Sequence, residues 1–113
     1  MDSPRMTLQT LAILKVLLTR PLEPRYGLDI SNEAGLQRGT LYPALARLER
    51  AGWLTSFQED IDEAAEGRRK RRYYRLTGEG AQKARQVLEA ESRRLSLPTF
   101  LPAPGPDPSG AGP

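Results

Sequence analysis

The sequence predicts a mainly α chain with a small two-stranded antiparallel β-sheet ahead of a final helix. Three observations point there. Apolar residues recur at helical spacing in "MTLQTLAILKVLLTR" (6–20), in "LQRGTLYPALARLERAGWL" (36–54) and after Thr77. Two short, alternating, β-prone segments, "WLTSFQ" (53–58) and "RYYRLT" (72–77), stand between the last two of these. Proline and glycine punctuate the joins.

The first five residues are polar, contain Pro4 and read as a frayed start. Residues 6–20 then place Leu8, Leu11, Ala12, Leu14, Val16, Leu17 and Leu18 on a broad apolar face, with Thr10, Lys15 and Arg20 elsewhere. Such a face is wide enough to touch more than one neighbour. "PLEP" (21–24) ends the helix, because proline has no N–H to continue it. A short helix over Tyr26–Glu33 offers Leu28, Ile30 and Ala34, and Gly35 is placed to close it in the left-handed region. The next helix, Arg38–Ala51, buries Leu41, Ala44, Leu45 and Leu48, with Gly52 as its stop. Two helices joined by a tight turn, the second carrying Arg on its other side, form a helix-turn-helix.

Trp53 leaves that helix at a position expected to be core. Between the two strands, "EDIDEAAEGRRKR" (59–71) is too long for a tight hairpin and is expected to be a floppy loop or extended strands. Thr77 is a candidate N-cap with Glu79 in the first turn. The helix it opens runs to about Leu95 with a narrow stripe of Ala81, Ala84, Leu88 and Leu95, Val87 lying beside it. From Pro98 the Pro/Gly tail has no core-forming pattern and is expected to be disordered. The expected organisation is a winged helix-turn-helix over 1–77, a C-terminal dimerisation helix over 78–97 and a disordered tail over 98–113.

Composition narrows the function. With neither Cys nor His in 113 residues, thiol chemistry, disulfides, imidazole metal sites and the commonest general base are unavailable. No carboxylates cluster in a folded segment, so no enzyme, metal or cofactor is expected. Lys+Arg is 17 against Asp+Glu 14, a small excess whose distribution matters more than its size. Most of it is Arg, the better side chain for forked contacts to phosphate or base edges, although a GC-rich genome accounts for that bias equally well. "LQTLAILKVLL" is short and contains Gln9 and Lys15, so neither a signal peptide nor a membrane span is expected, and a cytoplasmic protein is.

On the third helix, with Leu41 at the inward pole, about 100° per residue puts Gly39, Thr40, Pro43, Arg47 and Arg50 on the outward arc. The free N–H groups near Arg38–Thr40 suit a phosphate. Gly39 permits close approach to a backbone, and Thr40 suits a phosphate or a thymine methyl. Arg47 and Arg50 suit guanine edges or phosphates, and the Pro43 ring a base methyl. The run Arg68, Arg69, Lys70, Arg71, Arg72 suits a minor groove or adjacent phosphates. The alternative is a solvated, mobile loop that balances Glu59, Asp60, Asp62, Glu63 and Glu66; taken together, the two readings have the acids screen the basic run when DNA is absent.

"YGLDI", "GTLYPALARLERAGWL" and "RRYYRLTGEG" together resemble the signature segments of the PadR-like transcriptional regulators, in order and spacing, over about residues 8–95. The resemblance implies a bacterial or phage DNA-binding homodimer, often a repressor, whose third helix enters the major groove and whose wing approaches the minor groove. The chain matches the short form, without the larger C-terminal domain. The resemblance also implies that Tyr26 and Tyr42 donate their hydroxyls to the phosphate backbone, with packing between helices a close second reading of either. Where the family has a small N-cap such as Ser, this sequence has Gln37, either a looser helix start or itself a contact. Some members enclose a flat hydrophobic effector at the dimer interface; no residue cluster here demands one.

The expectation is a sequence-specific regulator, a repressor more readily than an activator, bound as a homodimer to an inverted-repeat operator in double-stranded DNA. Leu8, Leu11, Ala81, Ala84, Leu88 and Leu95 are the expected dimer contacts, since the last helix's stripe is narrow for a lone monomer. The rival reading is a winged helix that binds another protein and has no operator.

Overall fold

The computed structural model describes residues 4–95, with the side chain of Leu95 excluded. The tail expected over 98–113 lies outside the described residues. In chain order the elements are α1 (Leu8–Leu18), β1 (Arg25–Tyr26), α2 (Gly27–Ala34), α3 (Arg38–Arg50), β2 (Leu54–Gln58), α4 (Glu63–Glu66), β3 (Arg72–Leu76) and α5 (Gly78–Leu95).

α1 begins after Thr7, whose Oγ1 accepts the N–H of Thr10 at 3.1 Å and so satisfies one otherwise open donor of the first turn. Its core contacts are Ile13, Leu14, Val16 and Leu17, joined by Thr10. Thr10 was expected off the apolar face, and Ile13 was not counted on it. Thr10 tolerates burial because its hydroxyl lies 3.0 Å from that of Thr7.

β1 is an element the sequence did not announce. Arg25 and Tyr26, the latter also the N-cap of α2, pair with Tyr74 and Tyr73 of β3, making an antiparallel sheet of order β1-β3-β2. The two-stranded wing expected from 53–58 and 72–77 is present as β2 and β3, in register from Leu54↔Leu76 to Gln58↔Arg72. Arg25 is buried; it donates to the Val16 carbonyl at 3.3 Å and pairs with Glu33. One guanidinium thereby ties the end of α1 to α2.

Gly35 (φ +70°) and Gly52 (φ +83°) stop α2 and α3 in the left-handed region that other residues resist. After Gly52, the Trp53 N–H returns to the Leu48 carbonyl at 3.0 Å, which turns the chain directly into β2. Thr77 caps α5, its Oγ1 accepting the Gly80 N–H at 2.9 Å. The core joins Ile13, Leu14, Leu17, Ile30, Leu41, Leu45, Leu48, Trp53, Leu54, Tyr74 and Leu76 with Ala81 and Ala84 of α5. Burial raises the pKa of the Tyr74 hydroxyl.

The floppy connection expected over 59–71 is a structured wing tip. Asp62 Oδ1 accepts the N–H groups of Ala64 and Ala65 at 3.1 and 3.4 Å, which starts the single turn of α4. Among the described residues, no helix is long and apolar enough to cross a membrane.

Candidate nucleic-acid interface

α3 is held by one side only. Leu41, Ala44, Leu45 and Leu48 are buried, whereas Gln37, Arg38, Gly39, Thr40, Tyr42, Pro43, Arg47 and Arg50 are exposed. Gln37 stands at the N-cap in an extended conformation and makes no side-chain cap bond. Its carbonyl accepts the N–H groups of Thr40 and Leu41 at 3.0 and 2.9 Å, and the first-turn donors of Arg38 and Gly39 have no intrahelical partner. That leaves the positive end of the helix open beside exposed Arg38.

Gly39 costs the helix about 1 kcal/mol relative to Ala. A Cβ added there would meet nothing within 4 Å, so no contact in the described chain requires the glycine. Pro43 removes the bond to the Gly39 carbonyl, yet α3 continues through it to Arg50. Both unusual residues therefore lie on the exposed arc rather than serving the core.

Tyr42 is 38% exposed. Its ring covers the start of α2 so closely that a Cβ on Gly27 would lie 2.7 Å from the hydroxyl oxygen. The Tyr42 hydroxyl thus sits at the seam between the two helices of the motif, and the ring is a packing element there. Tyr26 stands at the start of α2 as expected, as its N-cap, and belongs at the same time to β1. It is half-buried in β1, its ring 5.9 Å from that of Tyr73, which in turn stacks at 5.8 Å on Phe57.

The five basic wing residues divide into two kinds. Arg68 forks onto the Glu59 carboxylate at 2.7 and 3.1 Å. Arg71 lies 4.9 Å over the Tyr26 ring, a cation–π contact. Arg72 is exposed and donates to Ser56 Oγ at 2.9 Å, and Ser56 donates to Glu49 of α3 at 2.8 Å. Among the described residues, Arg69 and Lys70 alone in the run extend side chains without a side-chain partner. Glu49 and Ser56 were not singled out by sequence, and Glu59 was named only as one of the acids that balance the basic run. Their contacts span seven to sixteen residues, beyond any local spacing rule.

The expected dimer residues also divide. Leu8 is 76% exposed, and Leu11 and Leu88 are half-buried. Ala81 and Ala84 are buried within the chain's own core, because α5 packs back on α1 and β3 before extending away. That is a correction: these two alanines serve the monomer. Leu95 lies outside the described side chains.

Residues 13–86 match the Transcriptional regulator PadR-like family. A PadR family transcription regulator from hypervirulent Clostridium difficile R20291 is 26% identical, with a TM-score of 0.62 over 79% of this chain and 91% of that one. AbfR, in its overoxidized form bound to DNA, is 28% identical with a TM-score of 0.63 over 80% of this chain; the chain spans 60% of AbfR. A transcriptional regulator homologue from Pyrococcus horikoshii OT3 shares the fold at 24% identity, with a TM-score of 0.60 over 76% of this chain and 78% of that one. No curated protein matches the sequence. The family match covers well over half of the chain, which belongs to the PadR-like transcriptional regulators.

Proposed function

We propose that the chain is a repressor that binds an inverted-repeat operator in double-stranded DNA as a twofold homodimer. The observation that carries this reading is the outward arc of α3. It gathers an uncapped helix start, a glycine with open space around it, Thr40, Pro43 and two unpaired arginines on the side opposite the core. An α-helix fits the major groove, and this arc offers both phosphate donors and groups that read base edges. The wing stands beside it, joined to α3 through Arg72, Ser56 and Glu49.

Leu8, Leu11 and Leu88, apolar side chains that the monomer leaves largely or partly uncovered on α1 and α5, support the dimer. A twofold axis there would set two copies of α3 about 34 Å apart, one turn of duplex. AbfR bound to DNA, a structural relative, supports a DNA partner.

In vitro selection from a random duplex library, followed by anisotropy at physiological salt, tests the reading. An enriched palindromic duplex bound far more tightly than its scrambled version is expected, with affinity falling steeply as salt rises. Equal affinity for both duplexes would exclude an operator.

A further inference from the structure

The wing tip carries five acids, Glu59, Asp60, Asp62, Glu63 and Glu66, in a segment that would approach a polyanion. On charge alone each should weaken DNA binding. Their positions say otherwise for some of them. Glu59 Oε1 accepts both Arg68 Nη1 at 2.7 Å and the backbone N–H of Arg71 at 3.0 Å, and its Oε2 accepts Arg68 Nη2 at 3.1 Å. The Glu59 N–H donates to the Arg71 carbonyl at 2.8 Å, which closes the segment at its base. Higher up, Glu63 Oε2 accepts the Lys70 N–H at 2.8 Å, and Asp62 caps α4. Arg68 Nη1 also reaches the Arg69 carbonyl at 3.1 Å.

These bonds grip the backbone on both sides of Arg69 and Lys70 and leave those two side chains exposed. Asp60, equally charged and in the same tip, is exposed and makes no hydrogen bond among the described residues. We propose that Glu59 is a positioning residue for DNA contact, its carboxylate fastening the wing tip so that Arg69 and Lys70 are presented already ordered to the duplex. The proposal rests on the DNA-binding reading above. Its physical basis is preorganisation: side chains whose backbone is fixed before binding lose less freedom on binding.

The positioning role reverses the sign that charge predicts. Glu59→Gln removes a negative charge, yet it should weaken binding of the selected duplex by about tenfold, the scale of ordering one or two long side chains. Affinity for the scrambled duplex should hold or rise. Asp60→Asn removes the same charge without loosening the tip and should tighten both duplexes slightly. Glu63→Gln should behave as Glu59→Gln does, more weakly. Trypsin should cut the DNA-free full-length Glu59→Gln chain within 68–72 at least several-fold faster than the unaltered chain, as mapped by mass spectrometry.

Equal behaviour of Glu59→Gln and Asp60→Asn on the selected duplex would overturn the proposal, leaving Glu59 a simple screen. An unchanged cleavage rate within 68–72 would overturn the fastening, and the positioning role with it, while leaving the DNA-binding reading of the unaltered chain standing. Failure of the unaltered chain to enrich any duplex would instead bring down the DNA-binding reading, and the positioning role with it.

Discussion

Gly80 lies against the backbone of Trp53. A Cβ added at Gly80 would stand 2.7 Å from the Trp53 Cα, 2.6 Å from its carbonyl carbon and closer still to the oxygen. The same carbonyl accepts the Thr77 N–H at 2.9 Å, so the first turn of α5 is pressed onto the exit of α3. This contact helps to set the relation between the proposed DNA-reading helix and the proposed dimerisation helix.

Gly80→Ala should therefore be costly, because backbone rather than a flexible side chain must yield. Overpacking of this kind costs about 1–3 kcal/mol or more. Urea unfolding should show a lower midpoint with an unchanged slope. Wild-type stability in the variant would mean that α5 docks less tightly than this geometry.

Gly39 is the opposite case. With open space around its Cα and ordinary helical geometry, Gly39→Ala should raise stability by up to about 1 kcal/mol. The same methyl would stand where a sugar-phosphate backbone is proposed to approach, so operator affinity should fall. Thermal unfolding and anisotropy on one preparation would read both effects, and a variant that binds as well as the parent would remove Gly39 from the contact surface.

Arg47 is exposed on α3 and unpaired among the described residues, so Arg47→Ala should leave folding nearly untouched. A forked base contact predicts a loss of about 1–3 kcal/mol on the selected duplex with relaxed specificity at one position. A loss shared equally by the scrambled duplex would assign Arg47 to phosphate.

The Glu59 carboxyl is held at about 2 against an ordinary 4.5, chiefly by its hydrogen bond from Arg68, with the Arg71 N–H and both positive charges assisting against partial desolvation. A carboxylate lowered on folding stabilises the folded tip fully above the unfolded value and loses that contribution as pH falls through the folded one. The wing tip should thus stay fastened down to about pH 4.5 and open progressively toward about pH 2. The amide shifts of Arg71 and Lys70, followed through that window, report the opening; a midpoint at the ordinary carboxyl value would show an open pair in solution.

How legible each feature was depends on how far its cause reaches along the chain. The register of Leu41, Ala44, Leu45 and Leu48, the stops at Gly35 and Gly52 and the cap at Thr77 arise within one or two turns, where helical spacing and capping chemistry act. The exposed arc of α3 followed from that register alone. The strand pairing of Tyr26 could not be read so, because a two-residue strand has no periodicity and exists only through pairing with Tyr73, far along the chain.

The sequence by itself determined α1, α2, α3 and α5, the two strands of the wing and the residues that α3 leaves facing outward, since local hydrophobic spacing dictates them. Only the tertiary structure decided that Ala81 and Ala84 belong to the monomer core, that β1 completes the sheet, and that Glu59 organises the tip rather than merely opposing it. Each of those depends on a contact between distant segments, whose partner no local pattern specifies.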